Sequence, residues 1–224
     1  MKNTYSIAAV IAVATSLFAS VPASAFIITS VTVNKGEDVT LETPISYTYA
    51  LGQIVLETSI GEIDAWCIDL YHDINVGSVN YTYAFDPFSN PISNGNGGTL
   101  TNQQLFEIAG LITNGNSLLA NGGGTPDDSL STQLAIWSIE YGGAFTYTGT
   151  SQNVVDETNH LIGLAPNLIG NGYALINSDN LQGLATADGG FIIGNIPVNA
   201  PEPASLTVLG IGLAGLRLVR RKRS

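Results

Sequence analysis

The chain contains a single cysteine, Cys67, in the stretch AWCIDLYHDI (residues 65–74). A thiol can act as a nucleophile or bind a metal ion, and with a second cysteine it can form a disulfide. No second cysteine exists for an intrachain disulfide. Cys67 is therefore either a small apolar core residue, the ordinary role of a lone cysteine, or a reactive group whose partner is another residue type.

Gln133 lies in the stretch TQLAIW (residues 132–137). At about 100° per residue, the neighbouring apolar side chains cover most of a helix, and Gln133 lies at the edge of the main apolar stripe. An unpaired buried amide costs roughly 1 to 3 kcal/mol. The Gln133 side chain therefore needs a hydrogen-bonding partner.

Segments rich in Val, Ile, Thr, Tyr and Phe, with partial alternation and turn residues at their ends, predict strands. Four of these segments precede the helical part of the chain, and two strand-like segments follow it. In chain order, the predicted strands are 26–34, 45–58, 63–71, 79–85, 172–177 and 190–196.

Helix signals occupy the middle of the chain. Thr101 and Gln104 have the spacing of a capping box, Asp127 or Asp128 can cap the helix that contains Gln133, and a third helix is expected over 151–165. Strands, then helices, then strands predict an α+β domain. We expect a β sandwich or barrel-like sheet with an inserted block of about three helices.

Alternation in the predicted strand 63–71 places Cys67 on a defined face. Trp66, Ile68 and Leu70 share one face, which can form core, and Cys67 lies on the opposite, mixed face. A helix could pack against that mixed face.

Both ends of the chain have features of export signals. Residues 1–25 combine Lys2, an apolar run over 7–18 and an A-x-A site ending at Ala25, which predicts a secretory signal peptide. Near the other end, a Pro-Glu-Pro triplet precedes an apolar run over 204–216 and a basic cluster. The key residues of this segment are Pro201, Glu202, Pro203, Arg220 and Arg221.

Residues 201–224 resemble the PEP-CTERM sorting signal of Gram-negative bacteria. The resemblance implies a short hydrophobic helix, transient anchoring in the inner membrane and removal of the tail by an exosortase-type enzyme. The ectodomain, residues 26–200, would then be delivered to the cell surface or an exopolysaccharide matrix. A permanent short C-terminal anchor is the alternative.

Charge narrows the choice of partners. The chain has 7 Lys and Arg against 18 Asp and Glu. Between residues 26 and 200 the only basic residue of these two types is Lys35, so the ectodomain is strongly acidic. Nucleic acid is excluded as a partner because no basic surface is present to neutralise phosphates.

The strand WCID followed by the helix TQLAIW resembles the thioester domains of bacterial surface adhesins. The resemblance implies that Cys67 and Gln133 condense into an internal thioester, with Trp137 as the aromatic residue that follows. The ligand would be a surface or polymer that carries an amine or hydroxyl. Such a domain reacts once per molecule, so it is not an enzyme in the turnover sense, and no cofactor or metal is expected.

The chemistry requires a thiolate to attack the glutamine carbonyl while ammonia leaves. An amide is normally inert, so the fold must hold the two groups at near-attack separation. It must also supply hydrogen-bond donors to the developing oxyanion. Backbone amides or Thr132 could serve as those donors.

Several alternatives use the same residues differently. The ectodomain could be a non-covalent structural component of the exopolysaccharide matrix with the same fold and no thioester. Zinc bound by Cys67, His72 and Asp69 or Asp73 is disfavoured because alternate strand residues point to opposite faces. A cysteine hydrolase would pair Cys67 with His160, whose ordinary explanation is a surface histidine. The acids in TPDDS (125–129) could suggest calcium, but they fit the start of a helix.

Overall fold

The structure of the protein, a computed structural model, describes residues 25–168, 170–177 and 181–187. The predicted signal peptide up to residue 24, the strand expected at 190–196 and the sorting tail lie outside these ranges. Among the described residues, no helix has the length and apolar character needed to cross a membrane.

The described residues form seven strands and three α-helices. The four early strands, the three helices and the strand predicted at 172–177 are confirmed, with shifted ends. In chain order the elements are β1 (Ala25–Thr43), β2 (Tyr47–Thr58), β3 (Gly61–Cys67), β4 (Gly77–Pro87), α1 (Asn102–Leu119), α2 (Pro126–Tyr141), β5 (Thr146–Thr148), α3 (Gln152–Leu164), β6 (Gly172–Ile176) and β7 (Leu184–Ala187).

Six of the strands close into an antiparallel barrel. Each of them pairs with a neighbour on both sides, in the order β1-β2-β3-β7-β6-β4 and back to β1. The long strand β1 makes closure possible because its first half pairs with both β2 and β4. The short strand β5 extends the sheet along the far half of β1, at residues 40–43. The predicted α+β fold with a barrel-like sheet and an inserted helical block is confirmed.

A bulge in β1 explains why this strand is longer than predicted. The register with β2 shifts between Asn34 and Glu37, and Lys35 has a φ of 53°, in the left-handed region. The ammonium group of Lys35 donates hydrogen bonds to the carbonyls of Gly122, Gly123 and Gly124, in the loop before α2. The bulge therefore connects the barrel to the helical block.

The start of α2 differs from the expectation that Asp127 or Asp128 is its cap. Thr125 is the N-cap residue, and its hydroxyl accepts from the backbone N–H of Asp128. The Asp128 carboxylate accepts in return from the backbone N–H of Thr125, at 2.7 Å. The prediction was wrong because Pro126, which suits the first helical turn, lies between the two partners of this capping box.

Helix α2 lies between two hydrophobic clusters. Leu130, Leu134 and Trp137 pack with the side chains inside the barrel. Ala135 and Ile136, on the other side of the helix, pack with the cluster that contains α1. The helix is buried on most sides, as the sequence predicts, so its polar residues must find partners within the protein.

Ser129 joins the first turn of α2 to the barrel. Its hydroxyl accepts from the backbone N–H of Gln53 in β2, at 2.9 Å, and donates to the carbonyl of Asn34 in β1, at 3.0 Å. Both backbone groups lie where the β1–β2 register shifts. The serine supplies the hydrogen bonds that the interrupted ladder lacks.

We predict that Ser129→Ala lowers the free energy of unfolding by about 1 to 3 kcal/mol, since a buried and a partly buried backbone group lose their partner. Chemical denaturation measures the change. Ser138→Ala is the matched control, because the Ser138 hydroxyl donates to the carbonyl of Leu134 in its own helix, at 2.7 Å. Equal effects of the two substitutions would contradict the proposed role of Ser129.

Candidate functional site

Cys67 is the last residue of β3, and only 5% of its surface is exposed. Its side chain belongs to the cluster inside the barrel, whereas Trp66 and Ile68 belong to the cluster that faces α1. The predicted alternation is confirmed for these three residues. The prediction for Leu70 was wrong: Leu70 joins the cluster of Cys67, because the strand ends at Cys67 and the alternation ends with it.

Gln133 meets Cys67 through the two atoms of its side-chain amide. The Oε1 atom accepts from the backbone N–H of Cys67 at 2.9 Å, and Nε2 donates to the backbone carbonyl of Cys67 at 2.9 Å. Gln133 is completely buried. The partner that the buried amide requires is therefore the backbone of the residue that carries the thiol.

The end of the β2–β3 ladder leaves room for this contact. The last pair in the register is Ile54 with Ala65. Two residues further, the same register would place Gly52 opposite Cys67, but the β2–β3 pairing has already ended. The amide of Gln133 occupies the hydrogen-bonding position that a strand would otherwise fill.

Gly52 allows α2 to approach so closely. A Cβ atom on this residue would lie 2.7 Å from the Ser129 hydroxyl oxygen and 3.1 Å from the Asn34 carbonyl oxygen. Ser129 and Gln133 are four residues apart and therefore lie on one face of the helix. Through them, a single helical face bonds to β1 and β2 at the bulge and to β3 where its pairing with β2 ends.

Acyl chemistry requires proximity of the two residues and a donor to the oxyanion. The acyl carbon of Gln133 is bonded to both amide atoms, so it lies beside the backbone of Cys67, the residue that carries the thiol. The N–H of Cys67 donates to the oxygen that would become the oxyanion. The Thr132 hydroxyl donates instead to the carbonyl of Asp128, at 2.8 Å. The oxyanion donor that the geometry offers is thus Cys67 itself.

Trp137 contributes to the apolar surroundings of the pair. It is almost completely buried in the same cluster as Cys67, and its ring packs edge-on against Phe145 with 5.8 Å between the ring centres. These rings help to keep water away from the sulfur.

Burial raises the pKa of the Cys67 thiol far above its ordinary value, and the carboxyl groups of Asp69, Glu140 and Asp73 raise it further. The thiol is therefore neutral at physiological pH. A thiolate would be strongly disfavoured at this position, whereas a thioester is uncharged and is compatible with an apolar environment.

Glu140 is a further buried group, two turns after Gln133 on α2. Neither carboxyl oxygen has a hydrogen-bond partner of normal geometry in the described part of the chain, and the nearby Tyr141 phenol donates to the carbonyl of Asn94. Burial raises the pKa of Glu140 well above its ordinary value; Tyr141 opposes this shift in part, and Asp69 adds to it. Burial therefore favours the neutral carboxylic acid at this position.

Asp69 and His72 form a pair that the sequence analysis did not predict. The Nδ1 atom of His72 lies 2.6 Å from Oδ2 of Asp69, and both residues line a cavity of about 560 Å³. The zinc alternative placed these residues with Cys67, but no group of three possible metal-binding side chains occurs among the described residues. In the sequence, the only feature that could have indicated the Asp69–His72 pair is the D-x-x-H spacing just after a strand.

His160 and Cys67 have different environments. His160 is exposed on α3, whereas Cys67 is buried. The hydrolase alternative therefore receives no support from the geometry.

The acids of TPDDS are explained by the capping box, in which the Asp128 carboxylate accepts from the backbone and the hydroxyl of Thr125.

Comparison with known proteins identifies one feature, outside the described residues. Residues 199–223 match the PEP-CTERM protein-sorting motif, which includes the predicted Pro201, Glu202, Pro203, Arg220 and Arg221. This motif implies export, transient membrane anchoring and processing by an exosortase. No curated protein and no solved structure matches the chain.

We predict that Glu140→Gln raises the melting temperature at pH 7.5 and that this gain shrinks toward pH 4. The unfolded glutamate has a pKa of about 4.3, and the folded one has a higher pKa. The native state therefore binds the proton more tightly, so wild-type stability falls as pH rises above about 4.3 and is lowest above the folded pKa. The glutamine side chain does not titrate, so the variant does not lose stability in this way as the pH rises.

Thermal unfolding of both proteins across this pH range provides the measurement. Glu57→Gln, at an exposed position of β2, makes the same chemical change without burial and is the control. A melting temperature of Glu140→Gln below that of wild type at pH 7.5 would contradict the raised pKa of Glu140 in the native state.

Proposed function

We propose that this exported protein carries an internal thioester between Cys67 and Gln133, through which it attaches covalently to a nucleophile on a surface or polymer. The observation that supports the proposal is the buried pairing of the Gln133 amide with Cys67. A fold that holds an amide against the backbone of a cysteine favours the proximity that this otherwise unfavourable reaction needs.

The forming step makes one bond and breaks another. The sulfur of Cys67 attacks the acyl carbon of Gln133, and the Cys67 N–H stabilises the negative oxygen. The thiol proton passes to the amide nitrogen, the carbon–nitrogen bond breaks and ammonia leaves. The product is a neutral thioester in a site that disfavours charge.

In the attachment step the sulfur of Cys67 is the leaving group, whereas in the forming step it is the nucleophile. An amine or hydroxyl of the target attacks the acyl carbon, the carbon–sulfur bond breaks, and the proton of the nucleophile passes to the sulfur of Cys67. Residue 133 is then joined to the target by an amide or an ester. The protein reacts once, without turnover.

Two features would preserve the bond until a target arrives. Burial of Cys67 and Gln133 keeps water from the acyl carbon. Lys35, the only lysine between residues 26 and 200, has its ammonium group bound by three backbone carbonyls. The ectodomain therefore presents little competing amine of its own.

A second candidate is a non-covalent structural component of the extracellular matrix with the same fold. The observation that favours it is that the Cys67 backbone provides a hydrogen-bond partner for each of the two amide atoms of Gln133. In that case the pair would serve only to complete the end of β3.

Intact mass spectrometry of the purified mature protein distinguishes the two candidates. With a thioester, the mass falls short of the sequence mass by one ammonia, and methylamine adds to Gln133 while it releases a thiol at Cys67. Cys67→Ala is the control, because it keeps the amide–backbone pair and therefore the fold. It should show its full sequence mass and no methylamine adduct.

The opposite result is equally clear. A wild-type protein of full sequence mass, whose thiol alkylates completely after unfolding and which gains no methylamine, would exclude the covalent proposal. The non-covalent candidate would then remain.

A further inference from the structure

A second cavity, of about 490 Å³, lies between the end of β4, the start of α1 and the start of β6. None of its lining residues belongs to the Cys67 site. Three aromatic rings and three small polar side chains characterise the lining: Phe88, Phe106, Tyr173, Ser89, Asn102 and Asn171.

Close backbone approaches shape this cavity. A Cβ atom on Gly172 would lie 2.7 Å from the ring of Phe88, and one on Gly170 would lie 2.6 Å from the backbone of Ala109. Larger residues at either position would force the neighbouring elements apart. The two glycines therefore allow β6 to begin directly beside the ring of Phe88 and the backbone of α1.

Phe106 is the exposed member of the aromatic set. It lies on the first turns of α1, and 57% of its surface is accessible. A large apolar side chain exposed beside a cavity is a feature of binding sites, which combine apolar walls with a few polar groups.

The lining contains no charged side chain, although the chain carries 18 acidic residues and a net charge of −11. A charged ligand would find no opposite charge in this cavity, and an anionic one would also be repelled by the acidic protein. The cavity is suited to an uncharged ligand.

We propose that this cavity binds a neutral carbohydrate chain. The faces of aromatic rings carry partial negative charge and attract the C–H groups of a sugar ring. The amides of Asn102 and Asn171 can each donate and accept, and the hydroxyl of Ser89 can do the same, which matches the hydroxyl groups of a sugar. The proposal does not depend on the thioester, because the two sites share no residue.

The test is calorimetric titration of the Cys67→Ala protein, which cannot form the thioester, with cellohexaose, laminarihexaose and maltohexaose. A hexamer of mannuronate, which is negatively charged, is the counter-probe. We expect at least one neutral hexasaccharide to bind and the mannuronate hexamer not to bind.

Phe106→Ala should weaken this binding by about tenfold or more, equivalent to about 1.4 kcal/mol. Leu118→Ala is the matched control, because Leu118 is an exposed apolar residue of the same helix, 43% accessible, outside the cavity lining. The affinity of the Leu118→Ala variant for the hexasaccharide should stay within about twofold of that of the Cys67→Ala protein, the range expected for a residue that does not contact the ligand. Circular dichroism confirms that both variants are folded.

Three results would overturn the proposal. They are no binding of any neutral hexasaccharide, equal binding by the Phe106→Ala and Leu118→Ala variants, and tighter binding of the mannuronate hexamer than of the neutral probes.

Discussion

The pairing of the Gln133 amide with the backbone of Cys67 is the interaction on which the site depends. Where β2 turns away from β3, the last residue of β3 has a buried N–H and a buried carbonyl that no strand can satisfy. Leaving them unpaired would cost several kcal/mol. One side chain satisfies both groups, and the same contact brings an acyl carbon to the backbone of the residue that carries the thiol. The end of the β2–β3 pairing therefore explains both why the Cys67 backbone needs the Gln133 amide and why the two residues of the proposed thioester meet.

Most of the fold could be predicted from local sequence. Alternation identified the early strands, and capping residues identified the helices. Two short strands were missed for physical reasons: β5 has three residues, and β7 has the sequence LATA, with small side chains that give no strand signal. The full length of β1 could not be predicted either, because the bulge at Lys35 resembles a turn in the sequence.

The sequence also indicated which residues belong to the candidate site, but not how they meet. The resemblance of two short motifs to thioester domains brought Cys67 and Gln133 together, and the need to satisfy a buried amide independently predicted a partner for Gln133. That this partner is the backbone of Cys67 follows from the separation of two strands, which is a tertiary feature. The raised pKa of Glu140 and the Asp69–His72 pair were missed, because burial by distant elements determines the first and a loop conformation determines the second.

The position of Lys35 also affects how long the protein would survive outside the cell. Between residues 26 and 200, the Lys35–Gly36 peptide bond is the only one that follows a lysine or arginine. Proteases of trypsin-like specificity must draw such a side chain into an extended, accessible segment before they can cut. Here the bond lies in the bulge of β1, between two paired segments of the strand, and the ammonium group is bound by three carbonyls of a distant loop. Cleavage at this bond therefore requires these lysine contacts to break first.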